Sequence, residues 1–407
     1  MSRRRALVLL ESANVLGGVS NSLVMIVIPW LILERTGSPA AAGLAGALAG
    51  LPGIVLAPVV GVVVDRVGRK VVSAVSDLLS AVSVALFPVL DLFGALDLTA
   101  ILVLTVLGAA FDPAGYTARK ALIPDVARAS GVARDDVNGV HEGVFAAGWV
   151  VGPMLGALCI ATIGTVGTMW VAFSAFLLAS LTVLLIDVPN RAGRDALAVP
   201  AEVGAWASSR VGLRALLADR PVWLLTLAVA AIWLIYMPTE SVLLPVHFED
   251  AGRPAAFGAV ISAMAAGGMV GAFGYGWVAR RMNRYRMTAV FMMLTAFSYV
   301  PLAFLPSAAV MLLPAFLLGL AWGPLEPLLN SLVQDRFPED QHGRVYGVQL
   351  AIFYAAPPLG QLGAGVAAER YGVQPVLFAV ATGLLLMAVT VRLVPALRGL
   401  DVVEEPA

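Results

Sequence analysis

Long apolar runs, each interrupted by a few glycine, proline or charged residues, recur along almost the whole chain. A run of roughly 20 apolar residues crosses the hydrocarbon core of a bilayer. Read this way, the punctuation predicts spans over 6–33, 40–63, 71–92, 98–118, 136–160 and 167–187 in the first half. The second half predicts 221–247, 256–278, 287–305, 309–333, 344–367 and 373–392. The basic start Arg3-Arg4-Arg5 followed by an apolar run has the order of a signal peptide. The apolar stretch continues to Leu33, too long for such a leader, so it is expected to be a retained first span. The remaining connections are short, and none can house an extra soluble domain.

Charge gives these spans an orientation. With the N-terminus inside, every one of the 26 Lys and Arg residues except Arg35, Arg253 and Arg370 falls on cytoplasmic segments. The positive-inside rule therefore predicts an even number of spans with both termini cytoplasmic. A single missed helix would invert everything after it and destroy the bias. Composition agrees: 60% hydrophobic and 13% charged residues, with a mean hydropathy of +0.90, exclude a soluble globular chain of 407 residues. The formal net charge of zero offers nothing to nucleic acid. Cys159 is the single cysteine and lies in an apolar run, and His141, His247 and His342 have no paired-ligand spacing, so neither a metal nor a cofactor is expected. No phosphate-cradling glycine loop ending in Lys and Ser or Thr is present. An enzyme is not expected, and any transport must draw on a gradient.

The one long connection, 188–220, falls at the midpoint. Val203, Trp206, Leu213, Leu216 and Leu217 recur so as to leave one apolar face, which predicts a short amphipathic helix on the cytoplasmic membrane surface. The expected organisation is a six-helix bundle over 1–187, this linker over 188–220, a second bundle over 221–395 and a cytoplasmic tail over 396–407. The halves echo each other. Gly61, Arg66, Gly68 and Arg69 are spaced like Gly276, Arg281, Asn283 and Arg284, with Asn283 in the place of Gly68 and expected to share its left-handed backbone. Asp112-Pro113 matches Gly323-Pro324, and Gly152-Pro153-x-x-Gly156 matches Ala356-Pro357-x-x-Gly360. Three echoes in matching order predict a duplicated six-helix unit.

The stretch Gly61-x-x-x-Asp65-Arg66-x-Gly68-Arg69-Lys70 resembles the signature loop of the major facilitator superfamily. Gly148-Trp-Val-Val-Gly152-Pro153-Met-Leu-Gly156 resembles that superfamily's antiporter motif, departing at Ala157. Pro29-Trp30-Leu31, Pro113-Ala114-Gly115 with Ile123-Pro124, and Glu240-Ser-Val-Leu are similar to the Tap-like multidrug exporters of actinobacteria, along the whole chain. The resemblance implies an all-α membrane protein of twelve transmembrane helices in two pseudo-symmetric six-helix bundles, in the plasma membrane. It implies export of amphiphilic drugs such as tetracyclines, aminoglycosides or macrolides by proton antiport and alternating access. It also implies a cytoplasmic gate of Gly61, Asp65, Arg66, Gly68, Arg69, Asp77 and Arg119. Asn21 stands where relatives often carry an acid, which puts in doubt any proton role for the first span at that depth.

Ionisable side chains within spans are costly and are functional candidates by default. Glu142, Glu240 and Glu326 are the candidates for proton coupling, because a carboxyl kept from water holds a proton more readily. Glu240, between Pro238 and Pro245, is expected in a broken helix, where it either carries a proton or caps backbone N–H groups that the prolines free. Asp77 and Asp112 are expected to pair with arginines such as Arg119. Glu11 is expected to snorkel to the interface, and His141 to tune the adjacent Glu142. Asn14, Asn21, Trp233, Tyr236, Trp322 and Asn330 are the candidate substrate liners of a midplane cavity between the halves, with Tyr299 and Tyr354 flanking. Aromatic rings with few fixed charges suit amphiphilic or cationic molecules. The expected partners are such a small molecule, protons and membrane lipids, acting on a monomer. Transport of lipids or cell-envelope precursors, and less readily metabolite uptake, are the alternatives.

Overall fold

A computed structural model describes residues 4–189 and 205–401. Among the described residues, twelve helical segments are long and apolar enough to cross a membrane. The first six are α1 (Arg5–Thr36), α2 (Pro39–Val67), α3 (Arg69–Leu92), α4 (Leu98–Ser130), α5 (Arg134–Ile163) and α6 (Thr165–Leu184). After the short α7 (Ala205–Ala218), α8 (Arg220–Pro238) continues through a π-helical turn, Thr239–Leu243, into α9 (Leu244–Asp250) as one span. Then follow α10 (Pro254–Ala279) and α11 (Arg284–Ala303). The next span is built from α12 (Ala308–Trp322) and α13 (Leu325–Arg336), and the last two are α14 (Glu339–Tyr371) and α15 (Val373–Leu393).

The helix ends have local causes. Ser38, Asp97, Asp219 and Asn283 each accept a bond from the backbone N–H three residues on, satisfying a donor that the first turn leaves without a partner. Pro39 and Pro221 then stand in first-turn positions that need no N–H. Gly37 and Gly131 close α1 and α4 at φ of 60° and 70°, left-handed values that cost glycine nothing.

Two departures from the sequence reading matter. The fourth span is not over at residue 118: α4 runs on to Ser130, so Arg119, Lys120 and Arg128 are helical rather than in a connection. The expected tail also contains structure, a 3-10 turn at Pro395–Asp401 that buries Leu397 and Leu400. Within the expected linker, Val203 lies outside the described residues. In α7, Leu216 is buried while Leu213 and Leu217 are exposed, and a Cβ on Gly212 would overlap the Arg344 carbonyl of α14. One face of α7 is therefore seated on protein.

The chain forms two compact units, Met1–Pro200 with Phe248–Gly258, and Ala201–His247 with Ala259–Ala407. In the first unit α1 packs against α5 and α6, and α3 against α4 and α6. In the second, α8 packs against α14, and α11 against α12 and α15. These are the same pairings at matching positions, as a duplicated six-helix unit requires.

The α1–α5 seam shows why the glycines of the fifth span are spaced as they are. Gly148, Gly152 and Gly156 recur every fourth residue on one stripe of α5. A Cβ on Gly148 would stand 3.1 Å from backbone atoms of Gly18 and Val19, and one on Gly156 3.4 Å from Leu23. At Gly152 it would overlap Ser22 Oγ, whose hydroxyl bonds across the seam to the Gly148 carbonyl at 3.2 Å. Gly360 of α14 repeats the device, since a Cβ there would overlap the Leu234 carbonyl of α8. Close backbone approach of this kind supplies packing where water gives helices no reason to associate. Gly152→Ala is expected to destabilise the protein by about 1–3 kcal/mol, an overpacking cost, read as a lower thermal transition in detergent.

Candidate functional site

In the first unit, the signature loop is a hinge between two helices. Gly68 ends α2 and begins α3 at φ 102°, ψ 140°, a conformation closed to side chains with a Cβ. Its counterpart Asn283 does not share it: at φ −70°, ψ 161° the backbone is extended, and the side chain instead caps α11 through Arg286 N–H at 2.9 Å. The backbone of Gly61 and Asp65 is helical, in α2, but the Asp65 side chain lies outside the described residues. Arg66 is exposed, whereas Arg69 Nη1 reaches Asp125 Oδ2 of α4 at 3.5 Å, and Asp125 also holds Arg128. Lys70 donates to the Ile186 carbonyl beyond α6 at 2.7 Å. The second unit repeats the scheme with other chemistry. Arg284 pairs with Asp335, and Tyr285 takes the place of Lys70, its hydroxyl donating to the Arg392 carbonyl of α15 at 2.9 Å.

Below that loop lies a buried ion pair. Asp77 of α3 accepts from Arg119 Nη1 on both carboxylate oxygens at 2.7 Å, and Arg119 has no exposed surface. Glycine makes the room: a Cβ on Gly17 would come within 2.8 Å of Arg119 Nη2, and one on Gly115 within 3.5 Å of Asp77 Oδ1. One turn further along α1, Asn21 donates to Asp112 at 2.5 Å. Asp77 thus has the arginine expected of it, while the hydrogen-bond partner of Asp112 is the Asn21 amide. Asn14 is fully buried and bonds the His141 carbonyl at 2.7 Å, so it faces α5 rather than a cavity.

Glu142 is exposed and pairs with Lys120 at 2.6 Å. His141 does not tune it. The imidazole is fully buried and turned to α1, where Nδ1 lies 3.2 Å from Glu11 Oε1. Glu11, expected to snorkel, is itself buried.

The second unit gathers most of the aromatic candidates. Trp233 of α8 stacks on Phe353 of α14 at 5.8 Å and lies 5.8 Å from Trp322 of α12, on which Tyr236 stacks at 6.1 Å. The Tyr236 hydroxyl donates to Glu240 Oε1 at 2.5 Å, one helical turn away. The helix at Glu240 is not broken: it widens into the π turn Thr239–Leu243, and the partner of the carboxyl is this hydroxyl. Thr239 bonds the buried Tyr299 hydroxyl at 2.5 Å, so Tyr299 is structural support. The helix that does break is in the tenth span, where no break was expected: it is interrupted between Trp322 and Leu325, which puts Glu326 in the first turn of α13.

A cavity of about 190 Å³ opens among α8, α13 and α14, lined by Trp233 and Asn330 of the expected liners together with Glu326, a proton-coupling candidate. Tyr236 and Trp322 back its tryptophan, and Asn21 and Asn14 belong to the other unit. Sequence reasoning missed the α14 wall of Tyr346, Gln349, Leu350 and Phe353. Their helical spacing was a usable signal; Tyr354, chosen instead, is one residue off that face and exposed. Among the described residues no group of His, Cys, Asp or Glu could hold a metal.

This fold is that of a membrane transporter family: residues 11–360 match the model of the Major Facilitator Superfamily, and the chain belongs to it. It is a multi-pass membrane protein. Among relatives, it is 37% identical to the "Multidrug efflux pump Tap" of Mycolicibacterium fortuitum, covering 100% of this chain and 99% of that protein. The "Multidrug efflux pump Tap" of Mycobacterium tuberculosis (strain ATCC 25618 / H37Rv) is 32% identical, over 99% of this chain and 97% of its own length. A crystal structure of the nucleoside transporter NupG superposes with a TM-score of 0.77 at 12% identity, covering 95% and 98% of the two chains, which shows the shared fold alone.

The buried pair gives a direct test. Arg119→Ala leaves Asp77 without its cation and is expected to cost about 3–5 kcal/mol, whereas Asp77→Asn with Arg119→Met recovers part of that loss. Thermal unfolding in detergent, compared across the cycle, measures both.

Proposed function

We propose that this protein exports amphiphilic, preferentially cationic small molecules in exchange for protons, by alternating access. The observation that carries the reading is the aromatic wall of Trp233, Tyr236, Trp322 and Phe353, with Glu240 bonded to Tyr236 and Glu326 lining the cavity that Trp233 and Phe353 share. Ring faces attract a desolvated cation and stack on planar apolar bodies, and acidic side chains stand beside them. The two relatives named above as multidrug efflux pumps support the same substrate class.

Glu240 is the first choice for the coupling carboxyl. It sits on a π turn, a widened turn that recurs at functional positions, and bonds Tyr236, which touches the aromatic wall. Proton binding and substrate binding at neighbouring groups then compete, which is the thermodynamic core of antiport. Glu142 is a weaker choice, since Lys120 already neutralises it. Glu326, exposed in the α13 first turn and lining the cavity, suits attraction of the cation. The orientation follows from the arginine and lysine bias, with both termini cytoplasmic. The signature loop, with Arg69 held by Asp125, then lies on the cytoplasmic side.

Proteoliposomes with an imposed pH gradient test this. A cationic dye is expected to move against its own gradient when the pH gradient is set and to stop when it is dissipated; movement indifferent to it excludes antiport. Glu240→Gln is expected to lose gradient-driven transport while still binding the dye, measured by fluorescence quenching. Trp233→Ala is expected to weaken that binding by about 10-fold, the scale of one good ring–cation contact.

A further inference from the structure

One buried cluster of ionisable groups has no part in that scheme. Glu11 and Asn14 of α1 meet His141 of α5 inside the first unit. His141 Nδ1 lies 3.2 Å from Glu11 Oε1, and Asn14 Nδ2 lies 3.4 Å from Glu11 Oε2 and donates to the His141 carbonyl at 2.7 Å. Asn14 and His141 are fully buried, and Glu11 is 8% exposed. His141 Nε2 and Asn14 Oδ1 find no partner among the described residues. The cluster borders an apolar patch containing Leu10 and Val137, the residues one before Glu11 and one turn before His141.

We propose that Glu11 and His141 form a proton-binding site in the first unit, separate from Glu240. With one proton the pair is neutral overall, as carboxylate with imidazolium or as carboxylic acid with imidazole. Removing that proton leaves an uncompensated anion in an apolar setting, and adding a second leaves an uncompensated cation; burial opposes both. Among the described residues, the nearby charges are paired elsewhere or exposed. Lys120 pairs with Glu142, Arg119 with Asp77, and Asp125 with Arg69 and Arg128. Asp112 is held by Asn21, Arg134 and Asp136 on α5 are exposed, as are Arg4 and Arg5 at the start of α1, and α6 carries no ionisable residue. The proton is therefore held while the α1–α5 seam is closed and exchanges when water enters it. The glycine stripe of α5 lies on the same seam, so motion there bears directly on this pair.

The binding of a proton stands on this geometry; its use in transport rests on the antiport reading above. Nitrogen-15 histidine labelling of the full-length protein in lipid nanodiscs tests the first, because the chain has only 3 histidines. H247Q and H342Q identify the His141 signals by elimination without touching the pair. A proton-bearing, hydrogen-bonded Nδ1 signal assigned to His141 that is lost in E11Q supports the site. A His141 Nδ1 that carries no hydrogen-bonded proton, or is unchanged in E11Q, overturns it. In proteoliposomes, E11Q and H141Q are expected to lose gradient-driven accumulation and to keep substrate-for-substrate exchange; full gradient-driven transport in both overturns the role in coupling. Should the wild-type protein itself ignore the gradient, antiport fails while an intact Nδ1 signal still upholds the site.

Discussion

Inside hydrocarbon no water is available to satisfy a polar group, and the structure follows from that constraint. The Asp77–Arg119 pair is its clearest expression. A guanidinium with no exposed surface lies between three helices, with both oxygens of one carboxylate on a single amino group. Two glycines, one on α1 and one on α4, leave the volume it needs. Helix spacing, glycine placement and charge pairing are thus one problem with one solution. The same logic turns hydroxyls back onto their own helices, as Thr105, Thr168 and Thr226 do onto the carbonyl four residues earlier.

Duplication reuses geometry more faithfully than chemistry. Arg69 with Asp125 and Arg284 with Asp335 are equivalent ion pairs at equivalent helix starts. Beside them, Lys70 and Tyr285 share no chemistry except a donor at the end of a side chain, yet one bonds a carbonyl just beyond the last helix of its unit and the other a carbonyl in the last turn of its own. Gly68 and Asn283 both begin the third helix of a unit, one by a positive φ and the other by a side-chain cap. What is kept is the helix arrangement; the side chains that hold it are free to change.

The two units divide the chemistry unequally. The first keeps its acids paired or amide-bonded, in Asp77, Asp112, Asp125 and Glu11. The second has an aromatic wall with a hydroxyl-bonded carboxyl behind it and a cavity in front. Charge pairing is thus concentrated in one unit and an aromatic, apolar surface in the other.

The twelve spans, the duplicated order and the family were legible in the sequence, because hydropathy and motif spacing are local sums that need no knowledge of helix rotation. The extent of α4 was not: Arg119 reads as a stop until Asp77, 42 residues away, is seen to neutralise it. Nor could the sequence say that His141 turns from its neighbour Glu142 to Glu11, a contact across 130 residues. Adjacent helical residues point about 100° apart, so each helix's rotation decides which of two neighbours is buried, and packing alone sets that rotation. Phe353 rather than Tyr354 at the cavity is the same lesson. Sequence determined which segments enter the membrane; tertiary structure decided which of their polar groups meet, because partners distant along the chain become neighbours only once the helices pack.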